Sequence, residues 1–352
     1  MNKSSEAFLK ELLEAPSPSG YEQPAAKVFR KRVESCVDEL IGDVHGNSIA
    51  VLNPGAKFKF MISGHVDEIG LMITHIDDRG YIYTAQIGGM DPSLLVGQRV
   101  KIMGKKGAVC GVTGRKAIHQ MTPEERKKGV EMENIWVDIG ADNRKDAEKY
   151  VAVGDPIVID VAYRRLDTGM VVSRAMDDKA GAFVVAEVMR GLARRKPKIC
   201  VIGVATVQEE IGLRGAITSS YRVNPDAGIA IDVGFASDHP ETDAKKIGEV
   251  KIGKGPNLHR GANINPLLEE SLEKTAKKLK MPIQITAIPR GTGTDANAMQ
   301  LARGGAATAL VSIPLRYMHT PVEMLSLKDL DYCVRLLVEY LATHPASRDY
   351  CP

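Results

Sequence analysis

The chain has 352 residues, enough for more than one core, and is 44% hydrophobic and 26% charged, an ordinary globular balance. Its 47 basic and 44 acidic residues leave a net charge of +3, too even to imply a nucleic-acid or membrane partner. Cys36, Cys110, Cys200, Cys333 and Cys351 form no CxxC or other paired spacing, which argues against a disulfide framework and thiolate zinc and for a reducing compartment.

The first residues, Met1–Glu6, enter an amphipathic segment with no long apolar stretch, and no run reaches transmembrane length, so the expected location is the cytoplasm. Ser4 or Ser5 is a candidate N-cap for a helix with Phe8, Leu9, Leu12 and Leu13 on one face, ended by Pro16. A second helix carries Ala25, Val28, Phe29 and Val33, and strand signals follow at Ser48–Leu52 and Phe58–Ser63. From about Leu71 to Asp167 the pattern changes to short runs broken by glycine turns: Tyr81–Gln86, Arg99–Met103, Val109–Thr113, Ile135–Ile139 and Pro156–Val161. Within it, Met121–Glu133 lacks apolar periodicity and is expected to be a mobile loop, with Arg126-Lys127-Lys128 as a solvated face.

After Ala175 helices and strands alternate. The spacing predicts a helix over Asp178–Arg194, a strand over Ile199–Val207, a short helix near Gly215–Tyr221 and a strand over Ala227–Asp232. Asn265-Pro266 opens a helix to Leu279. The strand Ile283–Ala287, a helix from Asp295, the strand Ala306–Ile313 and a final helix opened by Ser326 with Asp329 complete the chain. Such alternation predicts an α/β fold with a mostly parallel sheet flanked by helices. The expected organisation is a discontinuous catalytic domain, residues 1–70 and 168–352, interrupted by an inserted all-β, barrel-like domain at 71–167.

The chemistry-bearing residues sit at the ends of these elements. Glu209 and Glu210 follow a buried apolar run, where open α/β sheets place their sites and where acids need a compensating cation. One of them can bind metal while the other takes a proton; a solvated turn is the bland alternative. His65 and Asp67, two apart in an extended segment, share a face and suit a ligand with its orienting carboxylate, or equally a buried histidine bonded to its neighbour. Asp177-Asp178 precedes a helix, so one acid can cap while the other bridges two ions, although capping alone also accounts for aspartate there. Asp232 ends an apolar strand, and His319 lies in a loop between a strand and a helix. The remaining histidines, His259 among them, read as surface or structural. Three ligating carboxylates nearly balance two divalent cations, and an all-nitrogen-and-oxygen donor set suits Zn, Co or Mn.

Taken in order, Gly64-His65-Val66-Asp67-Glu68, Ala175-Met176-Asp177-Asp178-Lys179-Ala180-Gly181, Gln208-Glu209-Glu210, Ile231-Asp232 and Met318-His319-Thr320 resemble the M42 family of metalloaminopeptidases, the tetrahedral (TET) aminopeptidases. The resemblance covers nearly the whole chain. It implies two divalent ions per subunit, with His65 and Asp232 completing one site, Glu210 and His319 the other, and Asp177 bridging them. It implies Glu209 as general base, Asp67 as the group that orients His65, and a cis peptide at Asp177-Asp178. It also implies peptide substrates, dimerisation through the β insertion and assembly of dimers into a hollow dodecamer. Arg290-Gly291-Thr292-Gly293-Thr294-Asp295-Ala296 resembles the glycine- and threonine-rich segment beside the family's site, and Arg290 is a candidate for a basic group in the substrate pocket. A metal-dependent deacylase of small N-acyl compounds is the nearest rival. A glycosidase would need two carboxyls facing each other across a bond, which adjacent Glu209 and Glu210 do not offer.

Overall fold

The computed structural model describes residues 1–352. Two helices, α1 (Lys3–Glu14) and α2 (Gln23–Val33), precede strands β1 (Glu39–Gly42), β2 (Ser48–Leu52) and β3 (Lys59–His65). Six further strands then close on themselves: β4 (Gly70–Ile76), β5 (Ile82–Ile87), β6 (Arg99–Gly104), β7 (Gly107–Gly114), β8 (Trp136–Asp138) and β9 (Pro156–Ile159) form a barrel in the order β4-β5-β8-β7-β6-β9. Short helices α3 (Pro123–Lys127) and α4 (Arg144–Ala147) flank β8. Leu71, Ile73, Val100, Ile102, Val137 and Ile157 fill the barrel with an apolar cluster separate from the main one. Closure removes the free edges that an isolated small sheet would expose.

The chain leaves the barrel through β10 (Arg164–Arg165) and β11 (Val171–Ser173) and enters α5 (Met176–Ala193). β12 (Cys200–Thr206), α6 (Arg214–Val223), β13 (Ala227–Phe235), α7 (Ala244–Ile247), β14 (Asn257–Gly261), α8 (Pro266–Lys278), β15 (Gln284–Ile288), α9 (Asp295–Gln300), β16 (Ala307–Leu315), β17 (Glu323–Leu325) and α10 (Leu327–Ala342) follow. Eight strands make the large sheet, ordered β1-β2-β12-β3-β13-β16-β14-β15. Its centre, β12-β3-β13-β16, is parallel, and β2 and β14 run antiparallel to their central neighbours. The central strands are buried along nearly their whole length because helices cover both faces.

One close approach positions the site. A Cβ on Gly64 of β3 would lie 2.5 Å from the carbonyl carbon of Gly181, so only glycine lets α5 press against the end of β3. That contact brings Asp177 and Asp178 alongside His65.

One expected helix start is corrected, and another holds with a different role for one residue. Asn2, not Ser4 or Ser5, caps α1: its side chain accepts the Ser5 N–H, and the Ser5 hydroxyl donates to Glu187. Ser326 caps α10, but Asp329 does not reach back; it accepts the N–H groups of Gly253 and Gly255 and ties down that loop. The segment Met121–Glu133 holds the short α3, with a capping box between Thr122 and Glu125. None of the α3 residues is buried, while Val130 and Met132 beyond it pack partly buried against the barrel core.

Candidate metal centre

The candidate residues converge from five strand ends and loops. His65 ends β3, Asp177 opens α5, Glu209 and Glu210 follow β12, Asp232 lies in β13 and His319 follows β16. Asp177 stands between the two histidines: its Oδ1 is 3.2 Å from His65 Nε2 and its Oδ2 3.3 Å from His319 Nε2. Glu210 Oε2 lies 3.4 Å from the same His319 nitrogen, and Glu209 Oε2 lies 3.8 Å from His65 Nε2. The ligand atoms of His65, Asp177 and Glu210 fall within 4.8 Å of one another, and so do those of His65, Asp178 and Asp232. The Asp177-Asp178 peptide is cis.

Asp67 is buried beneath the cluster. His65 Nδ1 faces the Asp67 carbonyl oxygen at 3.1 Å and its carboxylate at 3.4 Å. A proton on Nδ1 satisfies both and leaves the Nε2 lone pair for the shared space beside Asp177. The sequence did not suggest a second task for Asp67. Its two oxygens accept the backbone N–H groups of Glu209 (3.0 Å) and Glu210 (3.2 Å), and Oδ2 also accepts the Ser19 hydroxyl. One carboxylate therefore sets both the histidine ring and the turn that carries the two glutamates. Asp178 caps α5 through the Gly181 N–H and also accepts the His65 N–H.

Glu323 is another residue the sequence did not flag. It is buried, and its carboxylate accepts the N–H of Asp177 (3.1 Å) and of His319 (2.8 Å). Asp295, also buried, accepts the Thr206 hydroxyl at the end of β12. Neither residue belongs to an apolar period or a ligand spacing; the resemblance set the segment of Asp295 beside the site, and only the fold brings in Glu323. Ala175, Gln208 and His319 take positive φ values of 58°, 55° and 59°. Each is at or within two residues of a candidate ligand, and non-glycine residues hold that conformation only where the surroundings fix it.

The electrostatics are those of crowded acids. Burial, then the repulsion of Asp232, Asp295 and Glu210, raises Glu209 to about 10 against the pull of His65. Burial and Asp177 raise Glu210 to about 7. Burial opposes a charge on His65, yet Glu209, Asp177 and Asp67 together push its pKa well up; Asp177 and Glu210 raise His319 to about 9. Glu210 Oε1 is buried with no hydrogen-bond partner. An orphaned carboxylate oxygen among four other acids and two imidazoles fits a site for hard or borderline divalent cations.

Two spaces open on this cluster. One is a narrow crevice between the α/β body and the barrel, where Met90, Leu94 and Ile159 face Asp177, Glu210 and His319. The other is a cavity of about 780 Å³ bounded by Phe235, Ile247, His259, Thr286 and the 289–294 loop, Arg290 included.

The family profile of M42 glutamyl aminopeptidases matches residues 46–336. The lysyl aminopeptidase of Pyrococcus furiosus is 38% identical over 332 residues, covering 94% of each chain. The TET aminopeptidase of the marine sediment archaeon Thaumarchaeota archaeon SCGC AB-539-E09 superposes with a TM-score of 0.92 at 34% identity, covering 97% of both chains. The TET1 peptidase of Pyrococcus horikoshii, which can assemble into a tetrahedron or a large octahedral shell, superposes with a TM-score of 0.86 at 31% identity, covering 96% of this chain and 99% of that one.

Proposed function

This chain belongs to the M42 glutamyl aminopeptidase family, and from that premise we propose that it is a dinuclear metal-dependent aminopeptidase that removes N-terminal residues from peptides. The observation that carries the reading is Asp177, whose two oxygens lie 3.2 and 3.3 Å from two different histidines, with Glu209 beside one of them. In this reading His65 and Asp232 hold one ion, Glu210 and His319 the other, and Asp177 both, with Zn, Co and Mn compatible with the donor set. Divalent cations held there would offset the mutual repulsion of the acids, polarise a substrate carbonyl and acidify a water molecule.

The chain's own groups do the rest. Glu209 takes the proton of the attacking water and returns it to the leaving amine. Asp67 fixes the Glu209 backbone and the His65 ring at once, so base and ligand keep one relative position. The test is Glu209→Gln, which preserves shape and removes the base. We expect two bound ions per chain by elemental analysis and a loss of turnover on aminoacyl anilides of about 10²–10⁴-fold. Near-normal turnover in that variant would remove Glu209 from the role.

We further propose that residues 71–167 form a dimerisation domain inserted into a catalytic domain of residues 1–70 and 168–352, and that dimers build a hollow dodecamer. The shells formed by the Pyrococcus horikoshii relative support this, and a particle mass near twelve times the 38.2 kDa chain would bear it out. A reducing, cytoplasmic compartment suits the five free cysteines.

A further inference from the structure

β14 pairs antiparallel with β16 and parallel with β15, which sets Asn257 opposite Ser312 and His259 opposite Thr286. Ser312 is also the neighbour of Asp232 across β13 and β16. A row of side chains therefore runs from the metal centre along one sheet face, about 10 Å from Asp232 to Asn257 at two strand spacings. His259 Nδ1 meets the Thr286 hydroxyl at 2.9 Å, its Nε2 meets the Ser312 hydroxyl at 2.8 Å, and Asn257 donates to Thr286 at 2.9 Å. Burial holds the His259 ring down at about 4, so this floor is polar but uncharged.

Charge enters the cavity at only two places outside the metal centre, Lys246 and Arg290. Both are exposed, and neither has an ion-pair or side-chain hydrogen-bond partner anywhere in the chain. Lys246 sits on α7, which packs against β15: a Cβ on the following Gly248 would lie 2.5 Å from Thr286 Cγ2. Arg290 comes from the loop after β15. Two unpaired cations thus line a cavity with a neutral polar floor, and the only carboxylates on its wall, Asp177, Glu209, Glu210 and Asp232, are those of the metal centre.

We propose, on the aminopeptidase reading above, that this cavity takes the side chain of the substrate's N-terminal residue and selects one that ends in a carboxylate, with Arg290 and Lys246 as the selecting groups. A glutamate-like side chain gains two opposite charges and loses its solvation to hydrogen-bonding groups. A lysine-like side chain meets two like charges and no partner acid. Family membership leaves the choice open, since the family carries a glutamyl description and the Pyrococcus furiosus relative a lysyl one. A carboxylate could also reach these cations from the far end of a short peptide, and anilide substrates lack that group.

The experiment compares kcat/KM of the metal-loaded protein on glutamyl, glutaminyl and lysyl anilides. Glutamine has the shape of glutamate without its charge, so the Glu/Gln ratio within one protein isolates the charge and is insensitive to the amount of folded enzyme. We expect a ratio of about three- to tenfold, the scale of one or two partly solvated ion pairs. It should fall towards one in the Arg290→Ala, Lys246→Ala double variant, and Arg290→Glu should shift selection towards the lysyl anilide. A wild-type ratio of one, or a ratio that survives the double variant, overturns the proposal while cleavage itself leaves the aminopeptidase reading intact. A charge preference seen only with free dipeptides and lost in their amides would assign the cations to the peptide's far end and likewise overturn it. Cleavage of none of the three anilides by protein holding two ions would instead refute the aminopeptidase reading beneath it.

Discussion

Replacing Glu323 tests whether the metal centre is held from behind. Its carboxylate accepts the N–H groups of Asp177 and His319, one at the start of α5 and the other in the loop after β16, which face the same shared space. Burial and the Asp177 charge push the Glu323 carboxyl well up, and the two N–H donors oppose them. Each bond contributes about 0.5–1.5 kcal/mol to a neutral acceptor and about 1.5–3 kcal/mol to an ionised one, so Glu323→Ala removes about 1–6 kcal/mol of local anchoring and leaves two N–H groups without a partner. Glu323→Gln keeps one acceptor oxygen and turns an NH₂ towards the other donor, so it should lose half of that or more. Part of the loss will appear as a lower melting temperature of the chelator-stripped protein. The rest should appear as metal affinity, about 10–100-fold weaker, as for other groups that orient a ligand. The ion proposed to depend on His319 should be released first. Calorimetric titration of stripped protein with Zn²⁺ or Co²⁺ reads both sites. Two ions bound with wild-type affinity by a Glu323→Ala protein of unchanged melting temperature would refute the reasoning.

Two other outcomes follow from the same geometry. Gly64→Ala forces a Cβ to 2.5 Å from the Gly181 backbone, which cannot give way as a side-chain tip could; it should cost about 1–3 kcal/mol or more in urea unfolding and weaken metal binding with it, and wild-type stability would refute the close-approach argument. His259 has a folded pKa of about 4 against an ordinary value of 6.5, so the unfolded chain binds the extra proton between these values. Its contribution is fully present above pH 6.5 and is lost as pH falls towards 4, ~3 kcal/mol in all from the size of the shift. Stripped wild type should therefore lose stability more steeply over that window than His259→Gln, and parallel curves would show that the buried ring does not set the slope.

The candidate metal centre could be named from the sequence for a local reason. Its residues end an apolar strand, open a helix or follow a strand into a loop, except Asp232, which the structure places inside β13 three residues before the strand ends, and such positions announce themselves in a single run of ten residues. His65 after Phe60–Gly64 and Glu209 after Ile199–Val207 need no knowledge of what lies beside them. The pocket is built by a different rule. Asn257 meets Ser312, and His259 meets Thr286, because β14 is inserted between β16 and β15 and runs against β16. Nothing in the alternation of β14 names its neighbours, so His259 carries the same local signal whether it faces solvent or a buried hydroxyl. Glu323 is hidden similarly: its partners are backbone N–H groups, which every sequence contains. Arg290 could be named as a basic group near the site but could not be placed, since its position depends on where the loop after an edge strand returns. The proposed selectivity thus rests on strand order and loop return, while the candidate metal ligands rest mostly on strand ends. Substitutions in β14, β15 and α7 can therefore change which side chain is accepted without touching a ligand, and a shared set of strand-end ligands is compatible with relatives described by opposite side-chain charges.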